Sequence, residues 1–338
     1  MHILTFKQLT YFIVIISVML FFQNPAIASN IDEMTSEELD QERMALYVKT
    51  EAESSVPWYY FAAVDSYERG LRKARNDLPK EEGLIAIFIP QEKWVGMTNP
   101  DPEDQNPRSI AFFEGIGKDG NGDGVAELNN DEDILYSFAS FLATYGFTEK
   151  DVQIALWDYY QRDKAVELVS GHAKTYRTID SLDLRKRAFP LPLTANYSYR
   201  STWGNSRGWG GKRIHEGTDI FAGHGLQVKA TTFGIVELKG WNKFGGWRIG
   251  IRDTDNVYHY YAHLNSFEKG VDRGTVVQPG DVIGYVGSSG YGKEGTQGKF
   301  PPHLHYGMYR DNGFFEWSFD PHPSLKVWER AERKQNNS

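Results

Sequence analysis

Cysteine is absent from this 338-residue chain. That removes a disulfide scaffold, a thiolate nucleophile, a zinc finger and an iron-sulfur cluster in one step. Any metal must be held by His, Asp or Glu. Basic charge is also in short supply: 37 Lys and Arg against 45 Asp and Glu leave a formal net charge of -8. Clustered cations are what phosphate backbones require, so nucleic acid is excluded as the main partner. Beyond the first thirty residues there is no apolar run long enough to cross a bilayer. What is present is 40% hydrophobic and 24% charged residues, enough for about two folded units with buried cores.

The exception to the missing apolar runs is at the start. Lys7, the apolar stretch from Tyr11 to Phe22 and the small-x-small triplet Ala26-Ile27-Ala28 read as a signal peptide over residues 1–28. The run is shorter than a transmembrane helix needs, which favours cleavage over an uncleaved anchor. The expected location is secreted or wall-associated, outside the cytoplasm, with no stable membrane span.

Most of the 33 glycines lie after residue 190, so two architectures are expected. In Trp58–Arg69, in the stretch from Ile134 to Tyr145, and in Glu149–Arg162, apolar residues recur at helical spacing. Residues 45–178 are read as a mostly helical domain, and 179–193, with Arg185-Lys186-Arg187 and two prolines, as a linker. Short runs follow, at Ile235–Leu238, Trp247–Ile251, Val257–Leu264 and Val282–Val286, separated by glycine turns. They predict a compact antiparallel β domain over 194–330. The fold class is multidomain α+β.

Six of the nine histidines fall between residues 215 and 305. In the strand-like segment His303-Leu304-His305 alternate side chains share a face, so both imidazoles point one way. The same alternation puts His259, Tyr261 and His263 on one face. Gly217, between His215 and Asp219, implies a bend rather than a helical turn. Two His and one Asp satisfy a catalytic zinc with one open position, leaving further histidines for proton transfer and oxyanion stabilisation. His259 and His224 fit no motif and are read as structural or exposed, and His172 and His322 receive no role.

Taken together, H-E-G-T-D at 215–219, Y-A-H-L at 261–264 and P-H-L-H at 302–305 resemble the lysostaphin-like, or LytM-type, zinc endopeptidases that cut bacterial peptidoglycan. The likeness covers about residues 195–325, including the Gly-Ser-Ser-Gly turn at 287–290. It implies zinc ligands His215, Asp219 and His305, catalytic histidines His263 and His303, and hydrolysis of wall stem or cross-bridge peptide by zinc-activated water. Peptidoglycan is the expected partner.

The helical half carries two weaker signals. Val56-Pro57 leading a helix that ends in Tyr67-Glu68-Arg69-Gly70 resembles lysozyme-like lytic transglycosylases, which implies Glu68 as a general acid of a second, glycan-cleaving active site. The family normally has Ser where this chain has Arg69. The rival readings are thus a mainly glycan-cleaving enzyme and a non-catalytic wall-binding morphogenesis factor. The loop with Asp119, Asn121, Asp123, the Val125 carbonyl and Asn130 has the spacing of a calcium-binding EF-hand, although Asn130 stands where a bidentate Glu is expected.

Overall fold

The computed structural model describes residues 31–79, 83–208 and 212–336. The signal peptide expected at 1–28 lies outside them. Among the described residues no helix is long and apolar enough to cross a membrane. The chain divides into two compact units: residues up to Trp58 with Glu81–Ile85 and Ile89–Phe138, and Tyr59–Lys80 with Ala86–Phe88 and Ala139–Ser338. The N-terminal region is helical and the C-terminal part is built on an antiparallel sheet.

In the first unit, α1 (Ser36–Ser54) starts at a capping box in which Thr35 and Glu38 satisfy each other's backbone amides. Helix α2 (Trp58–Ala74) belongs to the second unit apart from its first residue. Two short helices, α3 (Gln91–Val95) and α4 (Pro107–Phe112), bury Trp94 and Ile110. The calcium-like loop then turns into α5 (Asp131–Ala143). Its oxygens are occupied by backbone amides: Asp119 accepts from Gly122 and Gly124, Asn121 from Asp123, and Asp123 from Val125. Asn130 does not face the loop. Its Oδ1 caps α5, accepting from the amides of Glu132 (3.0 Å) and Asp133 (3.3 Å). The fully buried group beneath the loop is Asp133, which accepts from Gly120, Asn121 and Glu127. The loop's Asp and Asn side chains thus form turns of Asx type with its own amides.

In the second unit, α6 (Glu149–Tyr160) and α7 (Asp163–Ile179) follow the apolar periodicity, α6 being capped by Thr148. The linker expected at 179–193 lies within this unit, where Leu184, Ala188, Phe189 and Leu191 are buried. Among the described residues twelve strands follow: β1 (Tyr197–Tyr199), β2 (Ser206–Arg207), β3 (Arg213–Ile214), β4 (Thr218–Ala222), β5 (Gln227–Lys229), β6 (Gly234–Asn242), β7 (Gly246–Arg252), β8 (Val257–Phe267), β9 (Val276–Val277), β10 (Val282–Val286), β11 (His303–Asp311) and β12 (Glu316–Phe319). Helix α8 (His322–Asn336) follows β12.

Strands β2 and β3 form a separate hairpin, and the main sheet runs β1-β4-β11-β8-β7-β6-β9. Its pairings are antiparallel, and Ile220, Ile249, Ile251, Tyr261, Leu304 and Tyr306 fill the core beneath one face. The other face of β4, β11 and β8 is left for chemistry.

Candidate active site

In the β4–β11 register Asp219 lies opposite His305, and Phe221 opposite His303. Directly opposed residues share a face with their Cβ atoms about 5 Å apart. Asp219, His305 and His303 are therefore gathered by strand pairing alone, while Leu304 between the histidines points into the core. His215 enters from the end of β3. The bend expected at Gly217 is present, and glycine has a further task there: a Cβ at this position would meet the Tyr306 carbonyl at 2.6 Å and the His305 ring at 2.7 Å. The missing side chain is what lets the His305 imidazole approach the backbone at this point.

Three ligand atoms converge: His215 Nε2, Asp219 Oδ1 and His305 Nδ1 are each 3.0 Å from the other two. Among the described residues this is the one group of three His, Asp or Glu side chains so arranged. His215 Nδ1 donates to the Thr202 carbonyl at 2.9 Å, which leaves the Nε2 lone pair facing its partners. With both ring nitrogens deprotonated, the three atoms each offer a lone pair that one cation among them would satisfy together. Tetrahedral ligands around zinc are about 3.3 Å apart, so the triangle fits zinc with a fourth position open.

Beside the triangle, the His263 and His303 rings lie 4.8 Å apart between centroids, and His303 Nε2 is 3.7 Å from Asp219 Oδ1. Each donates from Nδ1 to a backbone carbonyl at 2.8 Å, His263 to Ser289 and His303 to Pro301. Both Nε2 atoms therefore carry the lone pair. Burial, reinforced by His303 and His305, lowers the His263 pKa to about 3, and burial also lowers that of His303. Both rings stay neutral near neutral pH, the state in which an imidazole accepts a proton.

The expected common face for His259, Tyr261 and His263 is corrected. Strand β8 bulges between Tyr261 and Leu264, where three steps oppose two on β7, and His263 adopts a φ of 62°. Tyr261 and His259 stay on the core side, opposite Tyr306 and Met308. The Tyr261 hydroxyl is bonded to Thr231 rather than directed at the site. His259 is held between Asp253 (3.0 Å) and the Tyr306 hydroxyl (2.6 Å). Only His263 is turned to the working face. His224 reaches no site residue, contacting Gln297 at 3.5 Å, and His172 is buried beside Ser66.

The sequence reading missed Arg207, whose Nη2 pairs with Asp219 Oδ2 at 2.6 Å. It also missed Tyr291 and Phe300, whose rings flank His263 at 6.2 and 4.6 Å. The glycine-rich 208–211 segment between Arg207 and Lys212 is a hairpin signal that would have brought Arg207 opposite Arg213.

Glu68 is elsewhere. Its helix packs toward the Asp311 end of β11: Tyr67, the preceding residue, accepts from Arg162, which grips Asp311 at 2.6 and 3.0 Å. Eight strand steps, about 26 Å, separate that end from His303. Tyr160 donates to Glu68 Oε1 at 2.8 Å and Arg72 lies 3.7 Å from Oε2. Burial pushes the carboxyl up to about 7 against both of those partners.

Two histidines and one aspartate that could hold a metal ion, with two neutral imidazoles beside them, are the equipment of a metal-dependent hydrolase. Comparison narrows the class. The profile of peptidase family M23 matches residues 213–317. An L-Ala--D-Glu endopeptidase of Bacillus subtilis (strain 168) is 60% identical over 290 residues, 86% of this chain and 89% of that protein. The chain belongs to peptidase family M23. Lysostaphin of Staphylococcus simulans is 34% identical over 115 residues, which cover 33% of this chain but only 22% of that protein. A solved structure of lysostaphin from the same species is 29% identical and covers 42% of this chain and 56% of that one, with a TM-score of 0.33.

Proposed function

We propose that this protein is a peptidoglycan endopeptidase that hydrolyses the L-Ala–D-Glu bond of the wall stem peptide, and that it acts outside the cytoplasmic membrane. The observation that carries the chemistry is the 3.0 Å triangle of His215, Asp219 and His305 beside the two carbonyl-anchored histidines. The choice of bond is supported by the likeness to the Bacillus subtilis L-Ala--D-Glu endopeptidase, which runs through 89% of that protein. The leader-like residues 1–28 support export.

His215, Asp219 and His305 would hold zinc. Once bound, zinc supplies a Lewis acid that lowers the pKa of a water and polarises the scissile carbonyl. His263 and His303 present basic Nε2 atoms, and one removes the water proton during attack. The same nitrogen, now carrying N–H, returns that proton to the departing D-Glu amine. The second ring, neutral with its lone pair on Nε2, accepts a hydrogen bond from the attacking water and holds it in line with the carbonyl. Phe300 and Tyr291 crowd His263 and limit bulk water around the proton path.

Glu68 takes no part in this reading. Its carboxyl faces Tyr160 and Arg72, and we assign it to packing of α2 against α6. A digest of purified wall tests the whole proposal. New amino groups should appear, with D-Glu as the new N-terminal residue, and His305→Ala should abolish both their release and zinc retention. Amine release by His305→Ala at the native rate would overturn the ligand assignment; new reducing ends lost in Glu68→Ala would restore Glu68 as a catalytic acid.

A further inference from the structure

The β2–β3 hairpin holds an arrangement that folding alone disfavours. Its register places Arg207 directly opposite Arg213, and like charges opposed across an antiparallel pair repel. Arg207 is engaged by Asp219 at 2.6 Å. Arg213 precedes His215 by two residues in an extended segment whose pairing continues through the His215 amide to the Asn205 carbonyl, so the two side chains leave on one side. The Arg213 guanidinium lies 5.4 Å from the Phe244 ring and 5.5 Å from the Tyr291 ring, and it donates to the Tyr291 hydroxyl. Tyr291 in turn stacks on His263 with planes 26° apart. One aromatic ring therefore separates a guanidinium from a histidine of the reaction site. Lys243, over Phe244, and Lys299, bonded to the Tyr291 carbonyl, add cations to the same wall of a protein whose net charge is -8.

The substrate supplies the complement. A glutamate residue has one amine and two carboxyls. When the amine is joined to L-Ala and one carboxyl carries the chain onward, the other remains free, as an anion on the leaving side of the scissile bond. A planar guanidinium fork is the side chain best matched to such a group.

We propose that Arg213, set against Arg207 and steadied by Phe244 and Tyr291, binds the free carboxylate of the D-Glu residue and selects for it. This assignment rests on the L-Ala–D-Glu reading. It makes the arginine a specificity residue, distinct from the histidines that move protons.

The test uses two synthetic stems, L-Ala–D-Glu–L-Lys with the D-Glu carboxylate free or converted to its carboxamide, with cleavage followed by mass spectrometry. The full-length zinc enzyme should prefer the free acid by roughly ten- to hundred-fold in kcat/KM, chiefly through KM. In Arg213→Gln the preference should collapse toward unity, and in Arg213→Lys, which keeps the charge and loses the fork, part of it should remain. Equal cleavage of both stems by the native enzyme, or an undiminished preference in the variants, overturns the proposal. Should Arg213→Gln fail to fold, the native preference and Arg213→Lys still decide it. If the native enzyme cuts wall peptide only at another bond, the bond assignment itself has failed, a result recognisable because neither stem is then cleaved.

Discussion

Glu68→Gln separates a packing carboxyl from an ionised one. The substitution keeps the volume and the acceptor for the Tyr160 hydroxyl, 2.8 Å away, and removes the titration. Arg72 keeps its bonds to the Pro79 and Ala86 carbonyls, and any cost of the new amide donor is the same at every pH, so it drops out of a comparison between two pH values. Burial raises the folded-state pKa from 4.5 to about 7. The folded chain then holds a proton that the unfolded chain has released between pH 4.5 and 7, so native stability must fall as pH rises through that window. At 1.36 kcal/mol per pKa unit the loss, complete above pH 7, is on the order of 3 kcal/mol. The glutamine variant escapes it. Urea unfolding at pH 5 and pH 8 should show Glu68→Gln gaining on the native protein by that order over the interval. A stability difference that stays flat, or moves the other way, would mean Glu68 is ionised and paired in the fold, and the account of its burial would be wrong.

Two further substitutions probe the site. His263→Asn keeps a residue type that tolerates the left-handed backbone at φ 62°. It should therefore fold and retain zinc while kcat drops roughly 10²- to 10⁴-fold; parallel loss of metal would show that His263 is a ligand. Gly217→Ala places a methyl 2.6 to 2.8 Å from the Tyr306 carbonyl and the His305 ring. Its zinc affinity, measured by competition with a chelating dye, should fall although no ligand has been changed, and native affinity would show that the His305 ring has room to move.

The parts of the fold legible in the sequence are those where one local rule acts undisturbed. Helices α2, α5 and α6 carry apolar residues at helical spacing and are found where that spacing predicts. The strand containing His303 and His305 obeys simple alternation, and pairing with β4 confirms both rings on one face. The calcium-like loop shows the converse. Its Asp, Asn and Gly spacing is equally that of a turn whose side chains bind its own amides, as these do, and Asn130, expected as its last ligand, serves as a helix cap. Whether an asparagine caps a helix or faces a loop depends on where the helix begins, and helix ends are the least local feature of the pattern.

His263 shows why a site can be named correctly while its geometry is misread. Alternation along β8 carries His263 to the core beside His259 and Tyr261, where an imidazole could do no chemistry on a wall peptide. One extra residue between Tyr261 and Leu264 reverses that direction. The left-handed conformation costs a non-glycine residue about 1 kcal/mol, and nothing in Tyr261-Ala262-His263-Leu264 advertises it. The strain is held by neighbours distant in sequence: the His263 amide bonds the Gly245 carbonyl at 2.7 Å, and its Nδ1 bonds the Ser289 carbonyl at 2.8 Å. Both partners lie in glycine-flanked turns, at Gly245-Gly246 and Gly287–Gly290, where Gly246 and Gly290 adopt positive φ. The glycine abundance of the C-terminal half thus has a specific use at these two turns. They bring carbonyls against a bulged strand and hold its histidine on the face that strand pairing has already given to Asp219 and His305.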